Sequence, residues 1–460
     1  MKKLLTLLLA GGMVFSSFNS VSAVEVKVSG EWLASFTFAD NLFGVDALNK
    51  HRSAQDGSKG GFNAAQRVRV NFDLVASEAL SGRVQLQATA GNSAANYYSW
   101  GQAGVGGPGE SVTARLAYLD WLIPSTDVQV RMGRQVVNTP SYTFGSPILD
   151  DAIDGIMVNA PINDMVGVTF GWMRPFAEVN KWGVEHYPHT SVDLAYLAVD
   201  VVSEGFRVTP WGMIGLHGNG DGTATPGSMD MMGYGNAGDA RSTVYWVGIG
   251  GELGLFDPFR ITGDFIYSGN DADGDAERRG WYAALGAEMD MAFATPFLKG
   301  WYASGDDADS NRSGRLLSVD EAGAFDASSI YFDGNDLLAA TIDNCNPAGT
   351  WGLQLGAKNI SFIEDLTHAL SVSYFQGTNN TNRITDAALR AQIGTLANPA
   401  TYMTTSDSAW EVDFLSSYQL YQNLTANLLL AYLVTDFDES VWGTDYDNGF
   451  RGTLNFTYAF

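Results

Sequence analysis

Three acidic side chains stand close together in the first half of the sequence, at Asp150, Asp151 and Asp154. Ser146 and Pro147 precede them and suit the cap and the first position of a short helix. Residues three and four apart share one face of a helix, so we expect the three carboxylates to project together. Rings of carboxylates in a narrow passage favour cations, so this segment is a candidate for controlling the movement of ions.

Basic side chains on the polar face of nearby segments form a second candidate group. They are Arg67, Arg69, Arg83, Arg131 and Arg134. Arg134 is out of phase with Arg131, so it needs a β-bulge to face the same side. Across a narrow, water-filled gap, arginines opposed to carboxylates would produce a transverse field that orients dipolar solutes. The alternative is that the arginines only solvate an inner wall, while the acidic segment lies outside.

The segments that carry these arginines alternate between apolar and polar residues. Residues 67–74 read RVRVNFDL, residues 83–90 read RVQLQATA, and residues 127–132 read DVQVRM. Successive side chains of a strand point to opposite faces. Each segment therefore predicts a strand with one apolar and one polar face.

The connections between such segments alternate between short and long along the chain. Eight short connections, such as 77–81 and 295–296, separate nine long ones, such as 138–155 and 304–349. This order predicts 18 antiparallel strands, or 16 if one long connection has been divided wrongly. Tight turns at one end and long loops at the other are typical of outer-membrane barrels. We therefore expect an all-β fold, a transmembrane antiparallel β-barrel.

The first 23 residues have the features of a secretory signal peptide. Two lysines precede an apolar stretch from Leu4 to Phe15, and a run of small residues ends at Ala23. The apolar stretch is too short to cross a bilayer as a helix. The predicted organisation is a cleaved signal peptide over residues 1–23 and a single barrel domain over residues 24–460.

The composition excludes several classes of function. The chain has 26 basic and 51 acidic residues, a net charge of −25, which is unsuited to binding nucleic-acid phosphates. Its single cysteine excludes an internal disulfide and a cysteine-ligated metal centre. The spacing of its histidines and serines indicates no catalytic site, so we expect neither enzymatic activity nor a cofactor.

The excess of acids lies mostly in the long connections, which hold 32 of the 51 acids and 11 basic residues. One cluster comprises Asp271, Asp273, Asp275 and Glu277. Alternate carboxylates in a loop can bind Ca²⁺, although this cluster departs from the glycine and glutamate positions of an EF-hand. The alternative is a solvated surface, or divalent ions that bridge to lipopolysaccharide.

The last segment carries the most specific signal. Residues 450–460 alternate, with Phe456, Tyr458 and the terminal Phe460 on the apolar face. Such an ending resembles the assembly signal of Gram-negative outer-membrane porins. The chain after residue 23 most resembles the homotrimeric porins of sulfate-reducing bacteria.

This resemblance implies insertion by the barrel-assembly machinery, contact with lipid and lipopolysaccharide, and a homotrimer. It also implies a third long loop that folds inward, so that Asp150, Asp151 and Asp154 face the arginines across the channel. The expected function is passive diffusion of small hydrophilic solutes and ions across the outer membrane of a Gram-negative bacterium. The alternatives are a substrate-selective channel and a surface protein with adhesin-like loops.

The charge distribution predicts a mild cation preference. Acids dominate the loops, but charges farther than about 8 Å from an ion are largely screened at physiological salt. The residues at the narrowing should therefore decide the preference, which should grow as salt is lowered.

Overall fold

The computed structural model describes residues 24–40, 60–89, 98–101, 104–105, 111–176, 192–217, 243–271, 277–308, 312–319, 324–332, 346–393, 397–443 and 445–460. The predicted signal peptide lies outside these residues. No helix among them is long and apolar enough to cross a membrane.

Eighteen strands form the wall. They are β1 Glu25–Asp40, β2 Gly60–Ser77, β3 Leu80–Thr89, β4 Ser111–Leu122, β5 Gln129–Asn138, β6 Asp150–Pro161, β7 Val166–Phe176, β8 Val192–Ser203, β9 Phe206–His217, β10 Thr243–Phe256, β11 Phe259–Asn270, β12 Arg279–Met289, β13 Thr295–Ala303, β14 Thr350–Ile363, β15 Leu366–Gly377, β16 Ser408–Tyr421, β17 Leu424–Asp436 and β18 Gly449–Ala459. A further two-residue strand, Tyr98–Ser99, pairs with the upper part of β2.

The strands close into a ring. Each wall strand pairs antiparallel with the next, and β18 returns to β1 with Trp32 opposite Tyr458. Every central strand thus has a partner on both sides, and the barrel has no free edge. The prediction of an all-β antiparallel barrel with 18 strands is confirmed, and the 16-strand alternative is wrong.

Short turns lie at one end of the barrel and long loops at the other, as the connections predicted. One short turn is displaced from its predicted position. The turn expected at Thr295–Pro296 lies at residues 290–294, and β13 begins at Thr295. Met291 N–H donates to the carbonyl of Ala294 there, which closes the turn before the proline.

The two faces of the wall differ in chemistry, as the alternation requires. On β17, Leu430, Tyr432 and Val434 are exposed on the outer face, while Ala431 and Leu433 are buried inside. On β2, Arg67 and Arg69 point inward. An apolar outer face and a polar inner face are what a barrel surrounded by hydrocarbon requires.

The helix predicted after Ser146 is absent, and this expectation is wrong. The Ser146 hydroxyl does accept the N–H groups of Ile148 and Leu149, so the local capping signal is real. The chain then extends as β6, because residues from Asp150 onward find ladder partners on both β5 and β7. Among the residues of the long loops that the structure describes, three short helices occur: α1 Asn382–Thr385, α2 Ala387–Ile393 and α3 Glu439–Trp442.

The C-terminal residue completes the closure. Gly30 N–H donates to the Phe460 carbonyl at 2.7 Å, and Phe460 N–H donates to the Gly30 carbonyl at 3.0 Å. A Cβ atom at position 30 would lie 2.7 Å from the Phe460 ring, so Gly30 leaves the space in which the ring packs. Phe460 therefore extends the pairing of β1 with β18 by two hydrogen bonds.

Deletion of Phe460 should reduce the amount of folded barrel in the membrane fraction, because it removes two backbone hydrogen bonds and an apolar contact at the closure. The amount of folded barrel is measured on a denaturing gel with unheated samples. A barrel that stays folded migrates differently from the unfolded chain. Phe460→Tyr, which keeps the backbone and the ring, is the control. Equal amounts of folded barrel in the deletion and the control would contradict the prediction.

Candidate functional site: the narrowed lumen

Ion pairs line the inner wall over β1–β5. Arg67 donates to Glu31 at 3.0 Å, and Arg69 lies 3.8 Å from the same carboxylate. Arg83 pairs with Asp73 through two hydrogen bonds of 2.6 and 3.0 Å. Arg131 pairs with Asp120 at 2.7 Å. Four of the five arginines predicted to line the wall therefore face the lumen.

A β-bulge adds Arg115 to this wall. The register between β3 and β4 shifts beside Arg115, so its side chain faces inward although its parity matches that of the outward Leu119. Its guanidinium donates to Gln85 at 3.2 Å and lies 3.5 Å from Asp151. Asp151 thus lies on the wall itself, beside an arginine two strands away, and not on the third loop opposite the predicted arginines as expected.

The structure places Arg134 and Asp154 elsewhere. The two side chains pair with each other at 3.2 Å on the outer face, in phase with the exposed Ile156. Gly133 has a φ of +123°, but the β5–β6 register continues without a shift, so no bulge turns Arg134 inward. The prediction that both residues line the lumen is wrong, because the uninterrupted two-residue period of the strands fixes their side. Asp150 is the first residue of β6 and is in phase with Asp154. It therefore belongs to the outer face too, and not to the lumen as predicted.

The third long loop, residues 139–149, folds across the lumen. The Asp264 carboxylate on β11 accepts the backbone N–H groups of Tyr142 and Thr143, both at 2.8 Å. The Tyr142 hydroxyl lies 2.5 Å from the Thr209 hydroxyl on β9. The loop leaves β5 and reaches strands on the far side of the barrel, so the expected inward fold is present without the expected helix.

The longest loop, between β13 and β14, also enters the lumen. Glu411 on β16 accepts the N–H groups of Ser329, Ile330 and Tyr331, at 2.8, 2.5 and 3.1 Å. Arg451 on β18 donates to the carbonyl of Ser329. Glu411 and Arg451 are both fully buried, so this loop covers the wall there completely.

An apolar cluster joins the two inward loops. The ring of Phe144 lies 4.9 Å from that of Phe325 and 5.4 Å from that of Trp301 on β13. The ring of Tyr331 lies 4.7 Å from that of Phe375 on β15. The side of the lumen along β10–β18 is therefore dry and packed at this level.

The other side of the lumen stays open to water. Arg83 and Arg131 are 36% and 32% exposed, in contrast to the fully buried Arg451. Beneath the third loop lies an open cavity of about 410 Å³, whose lining includes Arg131, Gln135, Tyr142, Tyr196, Asp200 and Arg207. Charged side chains on this side of the lumen are thus accessible to water.

The polar groups of this cavity are linked to one another. Thr209 donates to Asp200 at 2.5 Å, so the Tyr142 hydroxyl is the donor in its bond to Thr209. Burial raises the pKa of Tyr142, which keeps the phenol protonated for this role. Arg207 pairs with Asp200 at 3.2 Å. The cavity therefore presents paired charges and oriented hydroxyls.

Towards the short-turn end, the far wall carries a second charged group. Glu288 on β12 accepts a hydrogen bond from Lys358 at 2.8 Å and pairs with Arg260. Arg260 also lies 3.4 Å from Glu252. Charges of both signs therefore flank the lumen below the inward loops.

The candidate calcium cluster is only partly described. Asp271 accepts the Thr243 N–H at 2.5 Å, and Glu277 pairs with Arg279 at 2.8 Å. Asp273 and Asp275 lie outside the described residues. Among the described residues, no group of three acidic, histidine or cysteine side chains is placed to hold a metal ion.

The barrel has the fold of known outer-membrane porins. No family model matches the sequence, and no curated protein matches it. Solved structures of Pseudomonas aeruginosa porins do match the fold. OccD3 (OpdP) is 12% identical with a TM-score of 0.53, covering 94% of this chain and 91% of that one.

Two further matches were solved with small molecules. OpdK with vanillate is 10% identical with a TM-score of 0.53. OccK2 (OpdF) in complex with glucuronate is 10% identical with a TM-score of 0.55. In both cases the match covers 95% of this chain and 98% of the other chain. The likeness at such identity establishes the shared architecture.

The anchors of the inward loops were missed from the sequence. In the sequence, Asp264 and Glu411 have the pattern of ordinary inward residues of alternating strands. The residues that Asp264 binds in the third loop are more than 100 positions away in the chain. One signal was available. The segment Leu316–Val319 and the run Ile330-Tyr-Phe332 are unusually apolar for a loop that faces only water.

Replacement of Asp264 by Asn should loosen the third loop, because hydrogen bonds to a charged acceptor contribute about 1.5–3 kcal/mol each and an amide oxygen is a weaker acceptor. We expect a higher mean single-channel conductance with more open-channel noise. Asp73→Asn removes an inward carboxylate that bonds Arg83 on the wall, and it is the matched control. Wild-type conductance and open-channel noise in Asp264→Asn would show that this carboxylate does not hold the loop.

Proposed function

We propose that the protein forms a water-filled channel for the diffusion of small hydrophilic solutes and ions. The observation that carries the proposal is the closed barrel with an apolar outside, a charged inside and a third loop folded across the lumen. An inward loop narrows a passage without blocking the water path along β1–β9. No enzymatic step is part of this proposal.

The proposed location is the outer membrane of a Gram-negative bacterium, after removal of residues 1–23. The terminal Phe460 supports delivery by the barrel-assembly machinery, and the acidic long loops suit contact with lipopolysaccharide through divalent ions. A homotrimer, implied by the resemblance to the porins of sulfate-reducing bacteria, belongs to the same proposal.

Single-channel recording in planar bilayers tests this function. We expect discrete conductance steps that scale with the bulk conductivity of the salt, as a wet passage requires. A plugged surface protein with adhesin-like loops would give folded barrels that insert without conductance steps. That result would overturn the proposal.

The proposed ion preference is mildly cationic. Along β1–β9, the described lumenal arginines each lie beside a carboxylate, so this part of the wall contributes local dipoles more than net charge. The acids of the long loops then set the potential at one mouth, where screening lowers their effect at high salt. The preference should therefore grow as salt is lowered.

The wall variants Asp151→Asn and Asp154→Asn test which carboxylates act on permeating ions. Loss of the Asp151 charge leaves the lumenal Arg115 without its carboxylate neighbour and should shift the reversal potential in a salt gradient towards anions. Asp154 lies on the outer face, so its variant should keep the wild-type reversal potential. Equal shifts in the two variants would contradict the assignment of inner and outer faces.

Selective passage of small carboxylates is the second candidate. It is favoured by the cavity beneath the third loop, whose lining includes both Arg131 and Arg207. Vanillate and glucuronate, which were bound in two structures of the same fold, both carry a carboxylate. Saturable block of the conductance by glucuronate, absent with uncharged glucose, would favour this candidate over general diffusion.

A further inference from the structure

Two carboxyl groups lie side by side on the inner face of β16. Glu411 and Asp413 are two residues apart on one strand, so both point inward, and they are 0% and 6% exposed. Their carboxyl groups are in hydrogen-bond contact with each other. An ionised carboxylate can only accept a hydrogen bond, so this contact requires a proton on one of the two groups.

The two carboxyl groups differ in their other partners. Glu411 accepts the three backbone N–H groups of residues 329–331 in the loop between β13 and β14. Both oxygens of Asp413 are buried, and no donor in the part of the chain that the structure describes is placed to bond with them. Ser329 lies beside Asp413 too, but its N–H is directed to Glu411. As a carboxylate, Asp413 would therefore be a buried charge without a donor, which is costly.

The surrounding wall supplies one positive charge to this pair. The inward residues in register with the pair on β15, β17 and β18 are Ser371, Ser373, Ala431, Leu433, Gly449 and Arg451. Arg451 is the one charged member of this set, and it is fully buried. One arginine balances one carboxylate, so two ionised carboxylates would leave a net negative charge in a buried site.

The ionisable groups on the loop side are directed elsewhere. The Tyr331 hydroxyl donates to the carbonyl of Pro399 at 2.7 Å. The Asp326 carboxylate accepts the N–H of Gly145 in the third loop at 3.3 Å. Neither group compensates a second charge on the pair.

We propose that Glu411 and Asp413 form a proton-binding site, and that its proton holds residues 324–332 of the longest loop against the wall. With the proton bound, the site carries one negative charge, which Arg451 balances and the backbone N–H groups of the loop stabilise. When the proton passes to water, the second carboxylate needs hydration, and the loop segment must leave the wall to admit it. This inference rests on the proposed channel, because the segment that leaves borders the lumen.

The other contacts of this segment do not depend on a proton. The Ala327 carbonyl accepts hydrogen bonds from Gln354 and Ser373, both at 2.8 Å. The ring of Phe325 lies 5.3 Å from that of Trp301. These contacts join uncharged groups, so the pH dependence of the docked segment arises from the carboxyl pair.

The direction of the pH dependence follows from proton linkage. A hydrated carboxyl group has lost its proton above about pH 4, whereas the docked pair keeps one. Docking therefore takes up one proton, and opening becomes about tenfold more favourable for each pH unit until the docked pair itself is deprotonated. The segment is held at low pH and released as the pH rises.

Amide hydrogen exchange of the full-length barrel tests the proposal, because it measures the opening of the segment. After correction for the intrinsic rate of free amides, we expect exchange at Ser329, Ile330 and Tyr331 to rise about tenfold per pH unit above about pH 5. The amides of Tyr142 and Thr143 are the internal control. Their acceptor Asp264 is in register with Gly250 and Ala284, not with a second carboxyl group, so their corrected exchange should not follow the proton.

A matched pair of variants assigns the effect to the carboxyl pair. Asp413→Asn keeps the shape and a donor towards Glu411 but cannot titrate, so the corrected exchange of residues 329–331 should become independent of pH. Asp73→Asn also removes an inward carboxylate, one that bonds Arg83 on the open side, and should keep the tenfold dependence. The wild-type titration decides the proposal even if Asp413→Asn fails to fold.

Single-channel recording relates the site to permeation. A state of higher conductance should become more frequent as the pH rises in the wild type, and not in Asp413→Asn. Corrected exchange that is independent of pH in the wild type, or that still follows pH in Asp413→Asn, would overturn the proton site. Exchange that follows the proton in barrels that never conduct would refute the proposed channel and leave the proton site standing.

Discussion

The structure depends on the closure of its hydrogen-bonded sheet. Backbone N–H and C=O groups surrounded by hydrocarbon have no water to bond with, so each strand needs a partner on both sides. The pairing of β1 with β18 meets this need for the first and last strands. Once the ring is closed, the two-residue period of each strand assigns every side chain to one face, and a residue such as Arg134 cannot change sides without a bulge.

Carboxylates on the inner face have two roles, which depend on their access to water. Asp264 and Glu411 are buried and accept backbone N–H groups, so they hold the two inward loops in place. Asp73 and Asp120 lie along the open path and pair with arginines instead. A buried donor or acceptor costs free energy when it has no partner. The polar side chains on the dry side of the lumen are therefore constrained more strictly than those on the wet side.

The sequence contained enough information for the wall and too little for the interior. Alternation and the order of connections are local properties, so they predicted 18 strands and the inward Arg67, Arg69, Arg83 and Arg131. The capping signal at Ser146 is local too, but pairing with β5 and β7 outweighed it and produced a strand. The contacts of Glu411 with residues 329–331 join segments some 80 residues apart, and no local pattern encodes them.

The two halves of the barrel wall are supported differently. Along β10–β18 the inner face is packed against the loops that contain Phe144 and Phe325, and the outer face carries exposed aromatic residues such as Trp281 and Trp410. Along β3–β9 the inner face borders water and is held by ion pairs, whose net contribution is small when they are exposed. The wall along β3–β9 therefore depends more on the backbone hydrogen bonds of its ladder than on side-chain packing at its inner face.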